Sequence, residues 1–252
     1  MQGVWVVAMK RTYADLHLCV DVADNSLVAR AARTASILGY GLISVPLPLR
    51  AAEQEVKHVR EVFHDVGVDF VSRVDVRSRT PEELLRDVRR LRRRFEVVAA
   101  VCLSKSVARQ AAKDRRVDVL CFPQPDFRGG FFDLAEGELA SGCLGFFEVD
   151  VKPLLVLEGA ARARFMFMVG KEVGTARGFG VPVVVSSGVG EELLMRRPLE
   201  LACLGSLVGL SGASSVDAVS KNPVAIVSRN REKLGSGFVA PGIRVVRRGS
   251  DC

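Results

Sequence analysis

The chain reads as a parallel α/β barrel, and three observations predict it. Its 252 residues are 48% hydrophobic, a size at which such barrels fold as one unit rather than as two small domains. Short apolar, β-branched runs begin near residues 13, 42, 68, 97, 117, 144 and 181, a period of very roughly 30 residues, the length of one βα unit. Between them lie segments of helical periodicity with recognisable start and stop residues. The expectation is a TIM-barrel-like (β/α) barrel over residues 1–252, with a flexible basic tail at about 235–252.

The first strand spans residues 13–19, with Tyr13, Asp15, His17 and Cys19 on one face and Ala14, Leu16 and Leu18 on the other. Asp24, Asn25 and Ser26 offer N-caps for a helix that runs to Gly39, after which 42–45 is the second strand. The second helix carries Ala52, Val56, Val59, Phe63 and Val66 as its core stripe and ends at Gly67. His58 and His64 lie off that stripe and read as surface residues. Residues 68–71 form the third strand.

Thr80 caps the next helix, Pro81 takes its first position and Glu83 completes a capping box. Leu84, Val88, Leu91 and Phe95 face inward there, while Arg86, Arg89, Arg90 and Arg93 repeat on the opposite side. After the strand at 97–102, Ser104 or Ser106 caps a short helix with Lys105, Arg109, Lys113 and Arg116 on one stripe. The fifth strand, 117–122, stops at Pro123. A loop at 124–133 precedes a helix near 134–139, and 144–149 is the sixth strand, with Glu148 its one acid. Residues 165–173 are the apolar middle of another helix.

Strand seven, 181–185, opens around Pro182 and ends in Ser186, Ser187 and Gly188. That carboxyl end is where parallel α/β proteins meet ligands. No eighth strand is obvious. Residues 207–210 are the candidate, between helices at 200–204 and 216–230, the latter interrupted by Pro223; 243–246 is a further segment able to pair at the rim.

Charge is unevenly placed. The chain has 36 basic and 29 acidic residues, or +7, and residues 77–116 hold 13 Lys/Arg against 5 Asp/Glu, or +8, leaving 23 against 24 elsewhere. A solvated helix face explains many charge runs, but a local excess on a neutral body points to a polyanionic partner. Aromatics are 6% of the chain and are not interleaved with these arginines. That argues for recognition of a folded backbone by shape rather than base-stacking on single strands.

Other classes are excluded or weakened. No apolar run approaches the ~20 residues that span a bilayer, and the opening residues lack the pattern of a secretory leader. A soluble, cytoplasmic protein with no membrane partner is expected. The six cysteines form no CxxC pair, so neither a zinc knuckle nor a disulfide framework is indicated. Cys102 and Cys121, at the ends of consecutive strands, are the pair whose bonding is left open. A hydrolytic metal site would draw on Asp15, His17, Asp21, Glu148 and Cys19, a sparse set for a chain with three histidines. Ser186 and Ser187 lack the G-x-S-x-G elbow of a nucleophile, and no GxGxxG or GxxxxGK[ST] loop is present. No cofactor is expected.

Over about residues 13–230 the chain resembles the archaeal ribonuclease P protein component 3 family, kin of the eukaryotic thirty-kilodalton ribonuclease P/MRP subunit. The resemblance rests on ADLHL at the first strand, RQAA followed by VDVLCFP at 109–123, FFEVDVKPLL at 146–155, VPVVVSSG, the RRP-LEL element at 196–201 and AVSKNPVAIVSRN at 218–230. It implies a barrel related to polymerase-and-histidinol-phosphatase-type metal hydrolases, serving as a subunit of the particle that removes 5′ leaders from precursor tRNA. In that particle the RNA is the catalyst. The implied partners are ribonuclease P RNA and other protein subunits, especially a small partner subunit, with precursor tRNA met indirectly.

The family's RNA-contacting positions carry over onto Arg109 and Arg197, while Arg86, Arg89, Arg90 and Arg93 rest on the charge argument alone. Lys105, Arg109, Lys113 and Arg197 are expected together on the carboxyl-end rim. The hydrolase relatives would have a second histidine where Cys19 stands and Asp-x-His where Ser186, Ser187 and Gly188 stand. Asp15, His17 and Glu148 are therefore vestigial metal candidates, and the chain itself is expected to be non-catalytic. The rival expectation is a metal-dependent phosphoesterase built on those three residues.

Overall fold

The structure is a computed structural model that describes residues 11–123, 132–240 and 243–245. Seven parallel strands lie side by side in chain order: β1 (Ala14–Asp15), β2 (Leu42–Pro46), β3 (Asp69–Val76), β4 (Val97–Val101), β5 (Val119–Cys121), β6 (Phe146–Asp150) and β7 (Val183–Ser186). Helices return the chain between them: α1 (Asn25–Leu38), α2 (Glu53–His64), α3 (Pro81–Leu91), α4 (Lys105–Ala112), α5 (Leu134–Ser141), the short α6 (Lys152–Val156) and α7 (Gly159–Gly178). Each linking helix begins near the end of one strand and finishes near the start of the next. Helix N-termini therefore gather at the carboxyl-end mouth, and helix C-termini at the opposite pole.

The local signals account for these boundaries. Asp24 accepts the N–H groups of Ser26 and Leu27, and Gly39 ends α1 with φ of 92°, a left-handed conformation that glycine adopts without a Cβ clash. Thr80 accepts from Glu83 at 3.2 Å, and the Glu83 carboxylate accepts the Arg79 N–H at 2.9 Å, one residue earlier than a capping box requires. Ser104 caps α4.

Among the described residues no eighth strand closes the barrel between β7 and β1. Near one end Ala14 donates to the Val219 carbonyl at 2.9 Å and Val185 to that of Ala218 at 3.0 Å. Near the other, Gly188 donates to His17 at 2.9 Å and Cys19 to Val189 at 2.7 Å. Residues 207–210 are not a strand: Leu207 ends α8 (Pro198–Leu207), and Gly209 turns the chain with φ of 99°. Residues 216–230 divide into α9 (Ala213–Asp217) and α10 (Lys221–Leu234). Pro223 sits in the first turn of α10, where a missing N–H costs no intrahelical bond.

Helix α10 crosses the pole opposite the mouth, called the closed pole below. Its Ile226 and Val227 join Leu16, Leu42, Val71, Val97, Val119, Phe146 and Val184 in the cluster that fills the barrel. The strands' other faces pack against the surrounding helices in a larger cluster. Beyond α10, β8 (Phe238–Ala240) pairs antiparallel with β9 (Ile243–Arg244) in a separate two-stranded sheet, so the described part of the segment expected at the rim does not complete the barrel. The remainder of the basic tail and residues 124–131 of the loop before α5 lie outside the described residues.

Candidate functional site

The mouth is built around an arginine that the sequence pattern does not single out. Strand β3 runs to Val76 rather than stopping at residue 71, so alternation turns Arg73 and Asp75 inward with Val71. Arg73 is fully buried, and every one of its five N–H donors has an acceptor. Its Nη1 donates to Glu148 Oε1 and the Leu16 carbonyl, both at 2.7 Å; Nη2 donates to Glu148 Oε2 at 2.7 Å and Cys121 Sγ at 3.3 Å; Nε donates to Asp75 Oδ1 at 2.7 Å. One guanidinium thus ties β3, β5, β6 and the end of β1 together.

Glu148 is correspondingly saturated. Besides Arg73 it accepts from the Ser186 hydroxyl at 2.7 Å and the Cys121 thiol at 2.8 Å. His17 lies above it between two carboxylates, with Nδ1 at 2.9 Å from Asp150 Oδ1 and Nε2 at 3.2 Å from Asp75 Oδ2. Strand β6 runs one residue past its expected end, which brings in Asp150 as a second acid. Above these groups is a cleft of about 130 Å³ with apolar walls from Phe122, Phe147, Pro153, Phe165 and Val169.

Electrostatics follow from this packing. Burial favours the neutral acid at Glu148, but Arg73 outweighs it and holds the carboxyl at about 2. Asp75 is likewise held below the usual carboxylate range despite burial, by Arg73 and His17. Burial and the Arg73 charge push His17 down, yet Asp150 and Asp75 prevail and raise it well above its ordinary value. The imidazole is therefore a cation clasped by carboxylates, not a free base.

Of the three vestigial metal candidates, the mouth brings together His17 and Glu148. Asp15 is spent elsewhere: its Oδ1 accepts the backbone N–H groups of His17 and Ser187 at 3.0 Å, bracing the junction between β1 and β7. The reason is that β1 ends at Asp15, so the expected alternation through Cys19 does not continue. His17, Glu148 and Asp150 do present ligand-type atoms within 4.8 Å of one another. Arg73 already supplies the positive charge there and occupies both Glu148 oxygens, so the donor set fits an internal cation better than a metal. Ser187 donates its hydroxyl to the His17 carbonyl at 3.3 Å, and neither serine is placed as a nucleophile. Cys102 and Cys121 are free thiols; Cys102 belongs to the outer cluster and Cys121 to the inner one, on opposite faces of adjacent strands.

The basic residues separate into three groups. Lys105, at the start of α4, lies 2.8 Å from Asp133 and 3.3 Å from Glu136, and Arg109 Nε lies 3.7 Å from the same fully buried Glu136. Arg197 is exposed at the N-terminus of α8, after β7. Lys113 is not on the carboxyl-end rim: it caps the C-terminus of α4, about 12 Å of helix rise beyond Lys105, at the closed pole. Arg86, Arg89, Arg90 and Arg93 are all exposed, with Asp87 at 3.8 Å from Arg86 and 3.7 Å from Arg90. Their neighbours Arg92 and Arg94 are turned to structural work, Arg92 on Asp118 and the Phe95 and Glu96 carbonyls, Arg94 on those of Leu49 and Ala51. His58 and His64 are exposed on α2.

Among the described residues no helix is long and apolar enough to cross a membrane. Comparison with known proteins agrees with the resemblance seen in the sequence. The family described as "RNase P subunit p30" matches residues 12–234. "Ribonuclease P protein component 3" of Halobacterium salinarum is 29% identical over 228 residues, covering 90% of this chain and 95% of that protein. Its namesake in Haloarcula marismortui is 27% identical, covering 88% and 92%. Among solved structures, a chain of the cryo-EM structure of archaeal ribonuclease P with mature tRNA shares the fold at a TM-score of 0.79 and 17% identity, covering 93% of this chain and 98% of that one. A putative prolidase from Bifidobacterium longum shares the barrel more distantly, at a TM-score of 0.55 and 13% identity over 88% of this chain and 70% of its own. With a family match over residues 12–234 and relatives covered over nearly their whole length, the chain belongs to the RNase P subunit p30 family and is a protein subunit of ribonuclease P.

Proposed function

We propose that this subunit binds ribonuclease P RNA and takes no part in bond breaking, supporting removal of 5′ leaders from precursor tRNA in the cytoplasm together with other protein subunits. The observation that carries the reading is the outer face of α3, where Arg86, Arg89, Arg90 and Arg93 stand exposed with one partly paired aspartate among them. Such a ridge repels itself unless anions lie along it, and RNA phosphates supply them. Arg197 is a further exposed cation, on the carboxyl-end rim after β7. Arg109 shares its charge with Glu136, and Lys105 chiefly holds α4 to α5.

The mouth supports the non-catalytic half of the proposal. A hydrolytic site needs an open position and a base or ligand to spare, whereas Glu148 is saturated and His17 is held protonated. The test is reconstitution. Replacing the four ridge arginines with glutamine lowers RNA affinity and reduces its salt dependence by roughly one slope unit for each phosphate no longer neutralised, while His17→Gln leaves precursor cleavage by the assembled particle intact. An unchanged salt slope contradicts RNA binding by the ridge, and loss of cleavage in correctly assembled His17→Gln particles contradicts the non-catalytic assignment.

A further inference from the structure

The closed pole contains a second cationic centre, on residues outside the α3 ridge. Asp118, just ahead of β5, accepts Arg92 Nη1 and, at 2.9 Å, Arg229 Nη2 from α10; its remaining bond is to the Val98 N–H at 2.9 Å. Lys233 follows Arg229 by four residues, on the same face of α10. Two arginines thus share one carboxylate, and a lysine lies within reach of the same charges. Asp114, another acid at this pole, is spent on Arg116, at 2.9 Å and 2.6 Å.

Two observations show that the imbalance is felt locally. Arg229 Nε is buried with no acceptor, so donors exceed acceptors around Asp118. Partial desolvation first, then the Arg229 charge, pushes the amine of the exposed Lys233 below its ordinary value; Asp118 opposes this and Arg92 adds to it. The neighbouring sector of the same pole is different. There Arg60 and Arg231 meet Asp69 and Glu96, two cations against two acids, with Arg231 at 2.6 Å from Glu96 and 2.8 Å from Asp69. The excess is specific to the junction of α3, α4 and α10, where Arg92 also reaches the Arg116 carbonyl at 3.4 Å. Exposed Arg93 and Lys113 extend it outward at the ends of α3 and α4.

We propose that this junction is a phosphate-binding surface for RNA, with exposed Lys233 receiving the backbone, Lys113 and Arg93 flanking it, and Arg229, held by Asp118 and the Leu144 carbonyl, adding its charge from beneath. The proposal rests on the RNA-binding reading above and adds α10 to the interface. It also moves the centre of that interface to the closed pole, away from the mouth, where arginine, histidine and carboxylates are consumed in internal pairs.

The test uses the full chain and a ribonuclease P RNA transcript, with affinity measured between about 50 and 200 mM salt. Lys233 is exposed, so Lys233→Gln leaves the melting curve unchanged. Its expected effect is a loss of affinity of about fivefold to tenfold and a salt slope smaller by about one, with Lys233→Arg retaining both. Unchanged affinity and slope in Lys233→Gln, while the wild-type chain binds with normal salt dependence, overturns this inference and leaves the RNA-binding reading standing. If the wild-type chain shows no salt-dependent affinity, the reading itself fails. Loss of particle assembly without any change in RNA affinity assigns the surface to an acidic protein partner and likewise overturns the proposal.

Discussion

The mouth and the closed pole use the same chemistry, arginine against carboxylate, to opposite ends. At the mouth Arg73 is fully buried and meets Glu148 through two parallel bonds, and its charge is consumed inside the protein. At the closed pole Asp118 is divided between Arg92 and Arg229, with Lys233 beside them, and positive charge is left over at the surface. A buried pair of the first kind contributes little net stability but is costly to break, because one partner is stranded without water. A surface excess of the second kind contributes little to folding and matters when a polyanion arrives. The contrast separates the residues that hold this barrel together from those that serve the particle.

The sharpest way to break that contrast is at Glu148. Glu148→Ala strands the Arg73 charge and is expected to cost about 3–5 kcal/mol, lowering the melting temperature by about 10 °C in a domain of this size. The double variant Arg73→Met, Glu148→Leu removes both charges and recovers most of that loss. A normal melting curve for Glu148→Ala contradicts the description of the mouth.

Acid comes next. The folded-state carboxyl of Glu148 is depressed to about 2, so its contribution is fully present above the ordinary glutamate value near pH 4.3. It is lost as pH falls toward 2, by about 3 kcal/mol in all. Urea unfolding at successive pH values checks this, and the acid limb flattens in the Arg73→Met, Glu148→Leu double variant.

His17 works in the other direction. Its raised value means that its stabilisation is complete below about pH 6.5 and is lost as pH rises through the folded-state value. His17→Gln is expected to abolish the alkaline part of the stability profile while leaving the acid part in place. The smallest effect on folding belongs to the ridge. Replacing Arg86, Arg89, Arg90 and Arg93 singly with glutamine shifts stability by about 0.5 kcal/mol or less, although together they carry a large share of the salt-dependent RNA affinity.

What is legible in the sequence follows the same division. Caps, glycine stops and the order of seven strands can be read because local geometry dictates them, as at Asp24, Gly39 and Thr80. The closure of the barrel cannot, since the carbonyls of Ala218 and Val219 substitute for a strand without any strand-like pattern. Arg73 and Asp75 escape because charged residues alternating with valines look like an exposed end of β3, and only the fold reveals that Glu148 waits opposite them. Lys113 is misplaced when positions are counted from the end of β4 without allowing for the length of α4. Lys105 looks free for RNA, but its carboxylate partners Asp133 and Glu136 come from a segment 28 and 31 residues away.

The most direct test of this division is a map of crosslinks between ribonuclease P RNA and this chain in the assembled particle. Crosslinked peptides are expected from α3 around Arg86 to Arg93, from the end of α4 at Lys113 and from α10 around Arg229 to Lys233, with none from His17, Asp75 or Asp150 at the mouth. Crosslinks concentrated at those mouth residues, with α3 and α10 unlabelled, would contradict it.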